Sequence, residues 1–189
     1  MRIELKNIVF SYEDNKILDN FNLEINEGEC ICLSGRSGCG KTTIARLILG
    51  LENSQSGTVI APKHISCIFQ EDRLLNHLTL KKNVYLPLSK EQYDLADCLI
   101  DELGLSKAKK SKAWQLSGGM KRRTSIAMAI AFAGEALILD EPFNGIDDAN
   151  KQIAANIIKR EFLDKGKPVL LISHISEDAQ LLNAKNILI

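Results

Sequence analysis

At 189 residues the chain has the size of one globular domain with room for an inserted subdomain, and it is long enough to bury a real core. Its 24 Lys and Arg balance its 24 Asp and Glu, so it lacks the basic excess expected of a nucleic-acid-binding surface, and no nucleic-acid partner is expected. The five cysteines are odd in number and lack paired CxxC spacing, which argues for reduced thiols in a cytosolic chain and against a disulfide framework or zinc site.

The opening residues MRIELKNIVF alternate apolar and polar side chains and lack the apolar core of a signal peptide, so export is not expected. Residues 3–10 and 21–25 read as antiparallel strands, joined through the polar stretch Glu13-Asp14-Asn15-Lys16. The apolar run 30–33 predicts a strand on which Cys30 and Cys32 share a face, followed by a glycine-rich segment and a helix over 42–51 that ends near Gly50. Residues 57–60 and 65–69 predict further short strands, with Pro62 in the turn between them.

From about residue 71 to 114 the pattern becomes helical, lysine-rich and amphipathic, with a helix over 93–103 and a solvated basic loop over 107–112. A helix over 119–132, a buried strand over 136–139, a helix over 148–165 and a strand over 169–172 follow. Strands alternating with helices imply an α/β fold with a mostly parallel sheet covered on both faces. The expected organisation is a single domain, 1–189. Residues 1–70 and 115–189 form a catalytic core carrying an N-terminal antiparallel β-subdomain, and 71–114 form an inserted helical subdomain. The most apolar stretch, 126–133, is shorter than the roughly 18 residues a bilayer span needs, so any membrane role would run through a partner.

Gly35-Arg36-Ser37-Gly38-Cys39-Gly40-Lys41-Thr42 satisfies the phosphate-loop pattern, and it lies between a predicted strand and a predicted helix as that pattern requires. Gly35, Ser37, Gly38, Cys39, Gly40 and the first helical residues through Thr43 would turn backbone N–H groups toward phosphate oxygens, with the positive end of the helix behind them. Cys39, at a free position, contributes backbone only. Lys41 would neutralise β- and γ-phosphate charge, and Thr42 would give its hydroxyl to Mg²⁺. The loop alone specifies a nucleotide, since small-molecule kinases and GTPases share it.

Ala136-Leu137-Ile138-Leu139-Asp140-Glu141 is an apolar strand ending in two acids. Ligands gather at the carboxyl ends of strands in such sheets, so Asp140 would arrive beside the phosphate loop to hold Mg²⁺ through a water. Glu141 would act as the general base that polarises the attacking water. A strand leaving into solvent through two acids and Pro142 is the bland alternative, and the upstream phosphate loop weighs against it.

Leu116-Ser117-Gly118-Gly119-Met120 resembles the signature of ABC ATPases, and the resemblance extends over nearly the whole chain in the family's order. It implies a P-loop NTPase core of RecA-like type, ATP and Mg²⁺ as ligands, and ATP hydrolysis. It also implies a homodimer or pseudo-dimer in which Ser117, Gly118 and Gly119 cap the γ-phosphate held by a second copy. On physical grounds those residues begin a helix and offer an anion site, though Ser117 would serve equally as a plain N-cap.

Tyr12 resembles the aromatic that stacks on adenine, or it packs within its strand. Gln70 resembles the glutamine that senses Mg²⁺ and the attacking water, His174 the histidine that contacts the γ-phosphate, and Asp147 the aspartate of the loop communicating across the dimer. Met128, where an arginine is common, and Asn144-Gly145-Ile146 depart from the pattern without removing a group needed for phosphoryl transfer.

The segment Phe69-Gln70-Glu71-Asp72-Arg73-Leu74-Leu75, with Leu78-Thr79-Leu80 and Asn83-Val84, resembles importer ATPases for nitrate, sulfonates and taurine, with Asn76-His77 departing from them. The implied setting is the cytoplasmic face of the cell membrane, with an integral membrane permease and an extracellular substrate-binding protein as partners. Fifteen residues follow His174, which leaves no room for a C-terminal regulatory domain within this sequence. A non-transport ABC ATPase of the cell-division or iron–sulfur-assembly type shares all these motifs. A phosphotransferase would need an acceptor site and a basic lid, in whose place the chain has residues 116–120 and His174.

Overall fold

The computed structural model describes every residue, 1–189. Two sheets form. Strands β1 (Ile3–Tyr12), β2 (Asn15–Ile25) and β4 (Ser56–Ile60) make an antiparallel sheet in the order β2-β1-β4. Strands β3 (Cys30–Ser34), β5 (Ile65–Ile68), β6 (Ala136–Asp140), β7 (Val169–Ile172) and β8 (Lys185–Leu188) make a parallel sheet in the order β5-β6-β7-β3-β8. The strands predicted over 57–60 and 65–69 therefore lie in different sheets, and Pro62 belongs to a crossing between them.

Alternation along the parallel strands divides the core in two. Cys30, Cys32, Leu137, Leu139, Val169 and Leu171 face one apolar cluster, while Ile31, Leu33, Ala136, Ile138, Leu170 and Ile172 face the other. The second cluster also takes Ile3, Leu5, Ile8 and Leu23 of the antiparallel sheet and Ile44, Leu47 and Ile48 of helix α1 (Lys41–Ile48). Burial pushes the thiols of Cys30 and Cys32 up, to about 12 and about 11, so they behave as small apolar side chains.

The first cluster is built with helices α2 (Leu80–Tyr85), α3 (Tyr93–Glu102), α4 (Gly118–Ala131) and α5 (Asp148–Glu161). Leu80, Val84, Ala96, Leu99 and Ile100 are fully buried in the same cluster as Ile126 and Ile130 of α4, so the helical segment packs onto the sheet through α4. Within 71–114 the α-helices are short. Residues 71–78 carry no helix, and the basic stretch 107–112 is turns and part of a 3₁₀ turn; Thr79 caps α2 by accepting from the Lys82 N–H.

The helix predicted over 148–165 breaks at Phe162, whose φ of −122° and ψ of −65° leave the helical region, and a 3₁₀ turn over Leu163–Lys165 ends at Gly166 in the left-handed region. The Phe162 ring is fully enclosed in the first cluster. Phe162→Ala is expected to destabilise the fold by about 3–5 kcal/mol, read from the midpoint of chemical denaturation. Helix α6 (Ser176–Leu181) and edge strand β8 complete the chain. Neither stands out in the sequence pattern, because Ser176–Leu181 is mostly polar and Lys185–Leu188 carries only two apolar residues.

Candidate active site

Four adjacent parallel strands deliver the site. The carboxyl end of β3 opens into the loop at Gly35, that of β6 into Asp140 and Glu141, that of β5 into Phe69 and Gln70, and that of β7 into Ser173 and His174. All of these lie at one edge of the sheet, where α/β folds place ligands.

They converge on a cavity of about 660 Å³ lined by Tyr12, Gly35, Ser37, Gly38, Gly40, Lys41, Thr42, Thr43, Gln70, Asp140, Glu141 and His174, together with Asn15, Ile17, Asn144 and Ile172. That volume lies within the range of small-molecule sites. A second cavity, of about 500 Å³ between α1 and β4, gathers none of these residues.

The loop curls through positive φ at Gly35, Gly38 and Gly40. A Cβ at Gly35 would sit 2.5 Å from the Ile189 carbonyl oxygen, and one at Gly40 would sit 2.9 Å from Ile17, so neither position accepts a side chain without rearrangement. Lys41 Nζ donates to the carbonyls of Gly35 and Arg36, each at 2.9 Å, which folds the ammonium back over its own loop. The Cys39 thiol lies 3.6 Å from the same nitrogen and outside the cavity lining.

Thr42 Oγ1 donates to Asp140 Oδ2 at 3.2 Å, which joins the start of α1 to the end of β6. Burial raises the Asp140 carboxyl above its ordinary range, the Thr42 hydrogen bond opposes that rise, and the neighbouring Glu141 charge adds to it. Two buried acids in sequence, 5% and 8% exposed, make a site that a cation would stabilise.

Glu141 has φ of 51°, a left-handed conformation that costs a residue with a side chain about 1–3 kcal/mol. Its N–H donates to the Ile172 carbonyl at 2.9 Å, tying it to the end of β7. One carboxylate oxygen, Oε1, pairs with His174 Nδ1 at 2.7 Å, and the other, Oε2, is buried with no partner. That leaves a carboxylate oriented by one oxygen and unsatisfied at the other, beside a histidine whose side chain is 63% exposed.

Tyr12 is 43% exposed at the cavity's edge, and its ring meets Phe10 edge-on at 4.8 Å.

Ser117, Gly118 and Gly119 do not reach this cavity. Ser117 is the N-cap of α4 and accepts from the Met120 N–H at 3.3 Å. A Cβ on Gly119 would lie 2.8 Å from the Gly145 carbonyl, so the start of α4 presses on the 144–147 loop of its own chain. Asp147 caps α5, accepting from the Asn150 N–H and side-chain amide, and these bonds hold its carboxyl below the usual range.

Sequence reading overlooked Arg122. It is 3% exposed and donates to the carbonyls of Phe69, Asp140 and Glu141 and to the Asp72 carboxylate. Helical spacing was the available signal: in Lys121-Arg122-Arg123 the middle residue lies one turn before Ser125 and Ile126, on the side of the helix that faces the sheet.

Residues 18–144 match the family model described as ABC transporter. The chain is 35% identical to the aliphatic sulfonates import ATP-binding protein SsuB 1 of Streptomyces avermitilis over 183 residues, covering 95% of this chain and 70% of that protein. It is 31% identical to the taurine import ATP-binding protein TauB of Escherichia coli strain K12, covering 99% of this chain and 79% of that protein. It is 36% identical to the bicarbonate transport ATP-binding protein CmpD of Synechocystis, covering 88% and 64%. Among solved structures, a dimeric bacterial ABC transporter cassette superposes with a TM-score of 0.87 at 26% identity, covering 99% of this chain and 94% of that one. With the phosphate loop, the two acids and the histidine gathered at one sheet edge, and with matches over nearly its whole length, the chain belongs to the ABC transporter family as an ATP-binding subunit with ATPase activity.

Proposed function

We propose that this subunit binds MgATP in the cavity at the carboxyl edge of the parallel sheet and powers a separate membrane permease by closing on a second copy of itself. The observation that carries the reading is the split between two groups of residues. Lys41, Thr42, Gln70, Asp140, Glu141 and His174 line one cavity, whereas Ser117, Gly118 and Gly119 stand outside it on the same chain.

In this reading the loop amides of 35–43 cradle the phosphates, Lys41 exchanges its carbonyl partners for phosphate oxygens, and Tyr12 stacks on the base. The unpartnered Glu141 oxygen accepts a proton from the attacking water, with His174 holding the other oxygen and contacting the γ-phosphate. Gln70 faces the same water.

The residues present fit Mg²⁺. No three acid, histidine or cysteine side chains are arranged to hold a metal ion by themselves, and a hydroxyl plus one carboxylate is the sparse donor set of an ion that keeps its waters and takes its other ligands from phosphate. Thr42 and Asp140 would hold it, with Gln70 beside them. When bound it supplies positive charge that the buried acid pair lacks.

No helix is long and apolar enough to cross a membrane, which is compatible with a peripheral subunit on the cytoplasmic face that meets the membrane through its permease. The named relatives are import or transport ATP-binding proteins for sulfonates, taurine and bicarbonate, which supports import of a small anion; in this reading an extracellular binding protein is a further partner. The test is reconstitution with the permease in vesicles. The expected result is MgATP hydrolysis stimulated by the permease and uptake of a small organic anion. Outward movement of lipid or drug would reject import, and absence of MgATP affinity would reject the whole reading.

A further inference from the structure

Arg122 is the only buried basic residue of the chain, and it sits one turn into α4, five residues after Ser117. Nη1 donates to the Phe69 carbonyl at 2.7 Å and to Asp72 Oδ1 at 3.3 Å, and Nη2 donates to the Glu141 carbonyl at 2.6 Å and the Asp140 carbonyl at 3.1 Å. One planar group thus fastens three segments: the residue before Gln70, the acid two residues after it, and the peptide units on both sides of the Glu141 Cα.

We propose that Arg122 is a positioning residue for hydrolysis, which fixes where the Glu141 carboxylate points and ties that orientation to the Gln70 segment and the first turn of the Ser117 helix. This rests on Glu141 serving as general base. Three observations favour it over a simple buried ion pair. The two shortest bonds go to the Phe69 and Glu141 carbonyls, while the one to Asp72 is the longest of the four.

Glu141 is also held in a positive-φ conformation, so its side chain keeps its direction only while both its N–H and its carbonyl are restrained. The Ile172 carbonyl restrains the first, and Arg122 makes the shortest bond to the second. Finally, Asp72 has its own tie to α4 through Ser125 Oγ at 3.3 Å, so that segment does not depend on the guanidinium alone.

The role needs a fork as well as a charge. Phe69 and Glu141 are reached by different nitrogens of one rigid plane, a span that a lysine ammonium cannot reproduce.

The experiment compares the full chain with Arg122→Gln, Arg122→Lys and Asp72→Asn, measuring MgATP affinity with a fluorescent ATP analogue and steady-state turnover. Both Arg122 variants are expected to lose about tenfold or more in kcat while the affinity changes by less than about threefold, because misdirecting a base weakens chemistry more than binding. Asp72→Asn, which leaves three carbonyl bonds in place, is expected to lower kcat by less than about threefold.

Parental kcat in Arg122→Gln, full rescue by Lys, or an equal loss in Asp72→Asn would overturn the proposal, as would a fall in affinity matching the fall in kcat. Should the Gln variant fail to fold, the Lys variant, which keeps the buried charge, decides the matter. A parent chain without MgATP turnover would instead refute the general-base reading itself.

Discussion

Glu141→Gln is expected to bind MgATP with parental affinity, to turn it over about 10²–10⁴-fold more slowly, and to accumulate as an ATP-bound dimer. The amide is nearly isosteric with the carboxylate, so the pairing with His174 and the restraints on the backbone survive the change. What disappears is the proton-accepting capacity of Oε2, the buried oxygen that no protein group satisfies. Affinity should persist because the loop, Lys41 and Thr42 are untouched. Size-exclusion chromatography at saturating MgATP reads the dimer, and a variant that stays monomeric there would remove the support for two subunits closing over the nucleotide.

Ser117→Arg is expected to abolish hydrolysis while sparing nucleotide binding. Within one chain Ser117 touches only the start of its own helix, accepting from the Met120 N–H, and it is exposed. Loss of that cap lowers stability by about 1 kcal/mol, and a cation at the positive end of α4 is a further small penalty. Neither effect reaches the cavity that holds Lys41 and Asp140. If the serine and the glycines after it close over a nucleotide held by the other subunit, a bulky cation there blocks closure and turnover stops in both sites. Equilibrium binding of MgATP then remains within a few-fold of the parent. Lost affinity would instead place Ser117 in its own chain's site.

Much of the fold was legible because its central elements carry strong local patterns. The run 169–172 is apolar throughout because β7 lies inside a parallel sheet buried on both faces, and the apolar residues Ile3, Leu5, Ile8 and Phe10 mark a strand that buries them across an irregularity in its register. Patterns failed where local backbone geometry and tertiary packing overrode them. The periodicity of α5 continues past residue 161, but the backbone leaves the helical region at Phe162 and a 3₁₀ turn ending at the left-handed Gly166 follows. The 71–114 segment is amphipathic as expected, yet it gains its order from packing on α4 and holds only two short α-helices.

The phosphate loop and the paired acids could be identified from residue type and spacing, since each is contiguous in the chain and its chemistry depends on neighbours in sequence. Their meeting could not: the Thr42 to Asp140 hydrogen bond joins residues 98 apart, and it exists because β6 and β3 flank β7 in one parallel sheet. The same holds for Arg122, whose four acceptors lie 18 to 53 positions away and come together only when α4 packs across the ends of β5 and β6. Contiguous chemistry is written in the order of residues, whereas the direction in which a base points is set by hydrogen bonds that long loops must close before they can form.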